Sequence, residues 1–134
     1  MNKSILLFLT ILLYPFTLVQ GAESFTHVAS VTFEDVAGYR KTRLFKTSAA
    51  KCESDLRIVQ KQLEAQIGIA SIVSAKCGEV SYLAGFFNKQ PMGVPYIVDG
   101  KRDVLILPGA PQNVCDNLAQ LLQRTSPDAQ CIMP

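Results

Sequence analysis

The sequence contains no tryptophan and one histidine, His27. A lone imidazole without identifiable companions is poor material for general acid–base chemistry, and a zinc site would need roughly two to four further ligands. Its cysteines lack the close C-x-x-C spacing that metal and redox sites favour. Neither a G-x-S-x-G nucleophile elbow nor a glycine-rich phosphate loop occurs. No catalytic residue, cofactor or metal is therefore expected, and an enzyme has no motif to rest on. An excess of one charge is also missing, since 13 Lys and Arg stand against 11 Asp and Glu. Such a balance generates no field for nucleic acid.

Charge is absent altogether from Ile5 to Val19, an apolar run preceded by Met1-Asn2-Lys3-Ser4. That is the layout of a secretory signal. The run is shorter than the roughly 20 residues that span a bilayer, and Pro15 interrupts it. Val19 and Gly21 supply the short residues wanted before a cleavage point, so residues 1–21 are expected to be a signal peptide. The first mature residue is then Ala22, and the net charge of +2 falls to about +1 on loss of Lys3. Residues 22–134 are expected to be a single disulfide-stabilised α+β domain, periplasmic or secreted, touching a membrane only through the signal before cleavage.

All four cysteines, Cys52, Cys77, Cys115 and Cys131, lie beyond that segment, and in an exported chain of this size they read as two disulfides. Spacing alone leaves three pairings open. Position on the fold selects among them. Phe25, Ala29, Val31 and Phe33 alternate with Thr26, Ser30, Thr32 and Glu34, the pattern of a half-buried strand. Asp35-Val36-Ala37-Gly38 then reads as a turn into a second strand at Arg40 to Phe45. From Ala50 to Gln66, Cys52, Leu56, Val59 and Leu63 make a helical stripe with Glu53 and Asp55 in the first turn; Gly68 ends it, and Ile69 to Val73 begins a strand towards Cys77.

The last third repeats the order. Asp103 to Leu107 is a buried-type strand, Pro111 suits the start of a helix, Val114, Leu118, Leu121 and Leu122 form its apolar stripe, and Asp128 to Met133 is a final strand. Asp99-Gly100 reads as a hairpin turn joining Tyr96–Val98 to Val104–Leu107. In a strand-helix-strand unit the helix begins at the sheet edge where the next parallel strand ends. This brings Cys52 to Cys77 and Cys115 to Cys131, closing loops of roughly 17 to 26 residues, each worth about 3 to 3.5 kcal/mol in the chain-entropy model. The expected fold is a small two-layer α+β sandwich: an antiparallel sheet of roughly βαββαβ order with two helices on one face, preceded by an N-terminal strand or hairpin.

Two surfaces stand out as binding candidates. Arg40, Lys41 and Arg43, with Lys46 and Lys51, make a local basic cluster suited to an anionic or acidic partner, although a solvated strand edge has the same composition. The stretch from Tyr82 to Tyr96 fits neither structural period and concentrates aromatic residues between glycines and prolines. If its rings face water, Phe86, Phe87 and Tyr96 form an apolar patch on a loop. His27 lies on the apolar row of its strand and reads as a residue at the rim of the core.

Gly93-Val94-Pro95-Tyr96-Ile97-Val98-Asp99-Gly100-Lys101 resembles the strand of thioredoxin-like proteins that begins with a cis-proline and ends in a turn, and Leu44-Phe45-Lys46-Thr47 resembles the strand leading into their active helix. The redox C-x-x-C of that family would occupy Ala49 to Cys52, where only Cys52 is a cysteine, so the resemblance implies at most an altered thiol role or a redox-dead scaffold. Phe45-Lys46-Thr47 and Leu107-Pro108-Gly109, each leading into a helix, resemble the two halves of SPOR-type domains, which implies an exported module that binds peptidoglycan strands. The reading that combines these features is an exported, non-enzymatic binding or accessory domain acting on a protein partner or a cell-envelope glycan. The alternative is a thioredoxin-like domain lacking a complete C-x-x-C.

Overall fold

Residues 25–80, 83–99 and 103–134 are described in the computed structural model of the chain; the expected signal segment, 1–21, and the expected turn residues at 100–102 lie outside them. The alternating segment at the start becomes β1 (His27–Asp35), which pairs with β2 (Arg40–Thr47) as an antiparallel hairpin, Glu34 opposite Arg40 and His27 opposite Thr47. The amphipathic stripe becomes α1 (Cys52–Glu64), followed by β3 (Ile69–Glu79). After a short helix α2 (Ala84–Phe87), β4 (Tyr96–Asp99) and β5 (Asp103–Ile106) pair antiparallel, α3 (Gln112–Leu122) crosses the sheet, and β6 (Ala129–Ile132) ends the chain.

The six strands form one antiparallel sheet in the order β3-β1-β2-β5-β4-β6. That order is symmetrical about its centre. Each half is a ββαβ unit in which a hairpin is followed by a helix, and the third strand pairs with the far side of the hairpin's first strand. The α+β class, the antiparallel sheet and the helices on one face agree with the sequence reading. The strand order does not, because each helix is preceded by two strands rather than one. Within each half, β2 and β3 (or β5 and β6) both run antiparallel to the strand between them, so they are parallel to one another. This is why each helix start meets the end of the following strand.

The disulfides sit at those meetings. Cys52 bonds to Cys77 across a Cα–Cα distance of 6.1 Å, and Cys115 to Cys131 across 5.7 Å. Burial repeats as well. Cys52, Leu56, Val59 and Leu63 are buried in the first half, and the same spacing is buried in the second as Cys115, Ala119, Leu122 and Ser126.

Both helices pack on one face of the sheet, in a cluster with Ala29, Val31, Phe33, Phe45, Ile97 and Leu105. A second cluster occupies part of the opposite face: Val28, Leu44, Tyr96, Val98 and Val104 are covered by Phe86 and Phe87 together with Leu83 and Val94. The molecule therefore has a partial third layer, contributed by the segment around α2. β4 and β5 require it, since Tyr96, Ile97 and Val98, like Val104 and Leu105, are buried on both faces.

One ion pair crosses the seam between halves. Arg43 of β2 and Asp103 of β5 are diagonal neighbours on the helix-covered face, with Nη2 to Oδ2 at 2.9 Å and Nε to the two carboxylate oxygens at 3.1 and 3.3 Å. Both are buried, and the guanidinium lies 5.4 Å from the centre of the Phe45 ring. Complete burial is the largest influence on Asp103 and lifts its pKa from 3.8 to about 6; Arg43 opposes the rise, and Asp99, opposite it in the ladder, adds to it.

Two outcomes are expected. Peptide mapping without reduction should recover Cys52 joined to Cys77 and Cys115 joined to Cys131, and no peptide joining the halves. The folded state holds the Asp103 proton more tightly than the unfolded chain does, so this group's contribution to stability is fully present below about pH 4 and is lost as the pH rises through about 6. Urea unfolding across that range should show the decline. It should be missing from the double variant Arg43→Met/Asp103→Leu, whereas Asp103→Asn alone, which strands a buried guanidinium, should cost about 3 to 5 kcal/mol.

Candidate functional site: an apolar cleft at one end of the sheet

The residues nominated from sequence do not come together as a site. Phe86, Phe87 and Tyr96 are buried, so the expectation of an exposed aromatic patch is corrected. Phe86 meets Tyr96 edge to face at 4.9 Å, the Tyr96 hydroxyl donates to the Gln90 carbonyl, and the Lys46 ammonium stands 4.9 Å from the centre of the Phe87 ring. Phe86 and Phe87 belong to the third layer, lying over Tyr96 and its neighbours because the outer face of β4 and β5 is apolar and has to be covered.

The basic cluster is likewise dispersed among carboxylates. Arg40 meets Glu34 at 3.3 Å, Lys41 meets Asp35 at 2.9 Å, and Arg43 is the buried partner of Asp103. Arg43 thus belongs to the core rather than to a solvated edge, which corrects its nomination. Partial burial pushes the Asp35 carboxyl up, but the Lys41 ammonium and the backbone N–H groups of Tyr39 and Ala37 outweigh it and hold the group below its ordinary value. His27 lies half-buried near one end of β1, with Nδ1 2.9 Å from Thr26 Oγ1. Among the described residues no cluster of His, Cys, Asp or Glu is arranged to hold a metal, and no helix is long and apolar enough to cross a membrane.

Ser48-Ala49-Ala50-Lys51 has the S-x-x-K spacing of a serine nucleophile, a signal the sequence reading passed over. The Ser48 hydroxyl is buried just before α1 and has no hydrogen-bond partner among the described residues. A hydroxyl closed off from solvent has no route to a substrate. Nothing in this geometry supports a nucleophile.

A different surface draws together residues that the sequence keeps apart. The turn between β1 and β2, the loop after α1, and the start of α3 enclose a cleft of about 770 Å³. Each wall is fixed locally. Asp35 Oδ1 accepts from the N–H groups of Ala37 and Tyr39 at 3.0 and 2.9 Å, and Gly38 takes the φ of +88° that lets the hairpin close. The Val36 N–H donates to the Gly68 carbonyl at 2.9 Å, which ties the turn to the loop after α1. Gly109, at φ +75°, turns β5 towards α3, and Ala110 N–H closes onto the Leu107 carbonyl.

The walls so placed are apolar. Val36, Tyr39 and Ile67 line the cleft while remaining 73%, 67% and 74% exposed, and Val114 is 46% exposed. Leu118 and Leu121 form the α3 side. The expected helical stripe meets the core at Leu118, Leu121 and Leu122, with Cys115 and Ala119 completing the buried face; Leu118 and Leu121 also border the cleft, and only Val114 is left well exposed. Arg40, Lys41 and Asp35 supply its charged margin.

The repeat provides an internal control on this apolarity. Relative to their cysteines, Val114, Asn117, Leu118 and Leu121 of α3 correspond to Lys51, Ser54, Asp55 and Ile58 of α1. The first half folds with those positions mostly polar, and Asp55 is buried there as the acceptor for the Thr47 hydroxyl at 2.8 Å. Packing of the ββαβ unit does not demand apolar side chains at these places. Neither protein-family models, nor curated proteins, nor solved structures yield a match to this chain. The cleft has to be understood from its own chemistry.

Truncating either ring of the third layer separates a core role from a surface one. Phe86→Ala and Phe87→Ala should each cost about 3 to 5 kcal/mol, read as a sharp drop in Tm by thermal unfolding.

Proposed function

We propose that this chain is an exported, non-enzymatic binding domain whose working surface is the apolar cleft, and that it takes up apolar side chains presented by a protein partner. The observation that carries the reading is the gathering of Val36, Tyr39, Ile67 and Val114, all well exposed, around one concavity. Large exposed apolar side chains are ordinary when scattered and informative when contiguous. A small-molecule pocket needs an apolar floor, but it gains nothing from an apolar rim that stays in water. A rim of this kind suits a macromolecular surface that covers it.

Two disulfides that engage all four cysteines support an oxidising location, in keeping with export after cleavage near Gly21/Ala22. With all four cysteines paired, a thioredoxin-like role would have to rest on reduction of one of these disulfides, and neither has the C-x-x-C spacing of that family. An envelope glycan is the weaker fit to this cleft, because its lining is largely aliphatic and Phe86, Phe87 and Tyr96 are buried elsewhere.

The test is retention of a partner from envelope extract by wild type and by the double variant Ile67→Asp/Val114→Asp. These substitutions sit on exposed positions and should shift stability by no more than about 0.5 kcal/mol each. The variant should remain folded and lose the partner. A partner retained as strongly by the folded variant would show that binding takes place elsewhere.

A further inference from the structure

The short helix α2 ends in a Schellman motif. The Lys89 N–H donates to the Phe86 carbonyl at 3.2 Å and the Gln90 N–H to the Gly85 carbonyl at 3.0 Å, which places Lys89 at φ 60°. Every other described residue at positive φ is a glycine, and glycine would close this turn without the clash a Cβ brings. A lysine held there against the preference of its backbone marks a side chain retained for something other than folding. Lys89 borders a hollow of about 640 Å³ between the end of α2 and the start of β6, which shares no residue with the apolar cleft. We propose that this hollow is a second binding site and that it takes an acetamido sugar of a neutral glycan.

The walls of the hollow select among occupants. Lys89 and Asp128 bring opposite charges, and neither has a salt bridge or a side-chain hydrogen bond among the described residues. An anion meets Asp128 and a cation meets Lys89, so the hollow draws in neither. A purely apolar ligand would strand both charges together with the carboxamides of Asn88, Gln123 and Gln130. Sugar hydroxyls both donate and accept, giving to the Asp128 carboxylate and receiving from the Lys89 ammonium. The carboxamides narrow the choice further. Gln123 Nε2 donates to the Ala129 carbonyl at 2.8 Å, which fixes that side chain and leaves its Oε1 as an acceptor for an amide N–H. Asn88 and Gln130 offer the N–H donors that an amide carbonyl needs. An acetamido substituent carries that N–H and that carbonyl side by side, and its methyl group suits the apolar part of the wall at Phe87 and Pro127.

An NMR titration of the isotope-labelled exported protein with triacetylchitotriose, taken to about 10 mM, tests the proposal. Signals of Asn88, Lys89, Gln123 and Gln130 should shift with a Kd of about 1 mM or tighter, and cellotriose, which has the same rings without acetamido groups, should bind at least about tenfold more weakly. Lys89→Gly should weaken binding at least about fivefold while Tm holds or rises, because glycine relieves the turn. Asp128→Ala, at an exposed position, should weaken binding to a similar degree with Tm unchanged. The cleft variant Ile67→Asp/Val114→Asp should titrate as wild type does, so that this site and the cleft stand or fall separately. The proposal is overturned if triacetylchitotriose moves none of these signals at about 10 mM, if cellotriose binds equally well, or if both Lys89→Gly and Asp128→Ala leave the affinity as it was.

Discussion

The contact between Arg43 and Asp103 is the constraint around which the two halves are arranged. Only β2 and β5 join them within the sheet, over four residue pairs, and the ion pair spans that ladder diagonally. Removing both charges from water is expensive, and their mutual attraction returns much of that cost only while the fork of the guanidinium stays aligned with the carboxylate. An aligned fork admits one register of β2 against β5. A slip by one residue would carry Arg43 to the opposite face, next to the third layer, and leave Asp103 alone under the helices. The apolar contacts supply most of the stabilisation, but they discriminate poorly between neighbouring registers.

With the seam fixed, the symmetry of the halves makes their differences informative. Each half places a cysteine at the start of its helix, a second on its last strand, and a spacing of four, three and four on the buried side. What differs lies outside this shared frame. β3 is an eleven-residue strand with register shifts near Thr32 and Glu34, whereas β6 has four residues. The α3 flank beside the cleft is apolar where the α1 flank is polar. The frame accounts for the common residues, and the cleft accounts for the divergent ones.

Much of the frame was legible in the sequence because its signals are local. Leu56, Val59 and Leu63 recur at helical intervals, the residues around Val31 alternate, and the helix-to-strand logic was enough to pair Cys52 with Cys77 and Cys115 with Cys131. The third layer was harder to see because residues 83–95 have no period of their own. The hint lay in the neighbouring strands, where Tyr96-Ile97-Val98 and Val104-Leu105-Ile106 are apolar without interruption and so need cover on two sides. The stripe of α3 was legible at Leu118, Leu121 and Leu122, which meet the core, whereas Val114 at its start is left exposed and the small Ala119 and Ser126 complete the buried side. As for the cleft, it is assembled from three segments far apart in the chain, and no window of sequence contains it.

The placement of the disulfides has a consequence for how the protein comes apart. Both crosslinks close within a half, at separations of 25 and 16 residues, and neither crosses the seam. Tension applied between the two ends of the chain therefore meets covalent resistance only from Cys52 to Cys77 and from Cys115 to Cys131, so each helix stays stapled to the strand that follows it. The hairpins β1–β2 and β4–β5 lie outside both loops, and hydrogen bonds and side-chain packing alone hold them to the stapled parts.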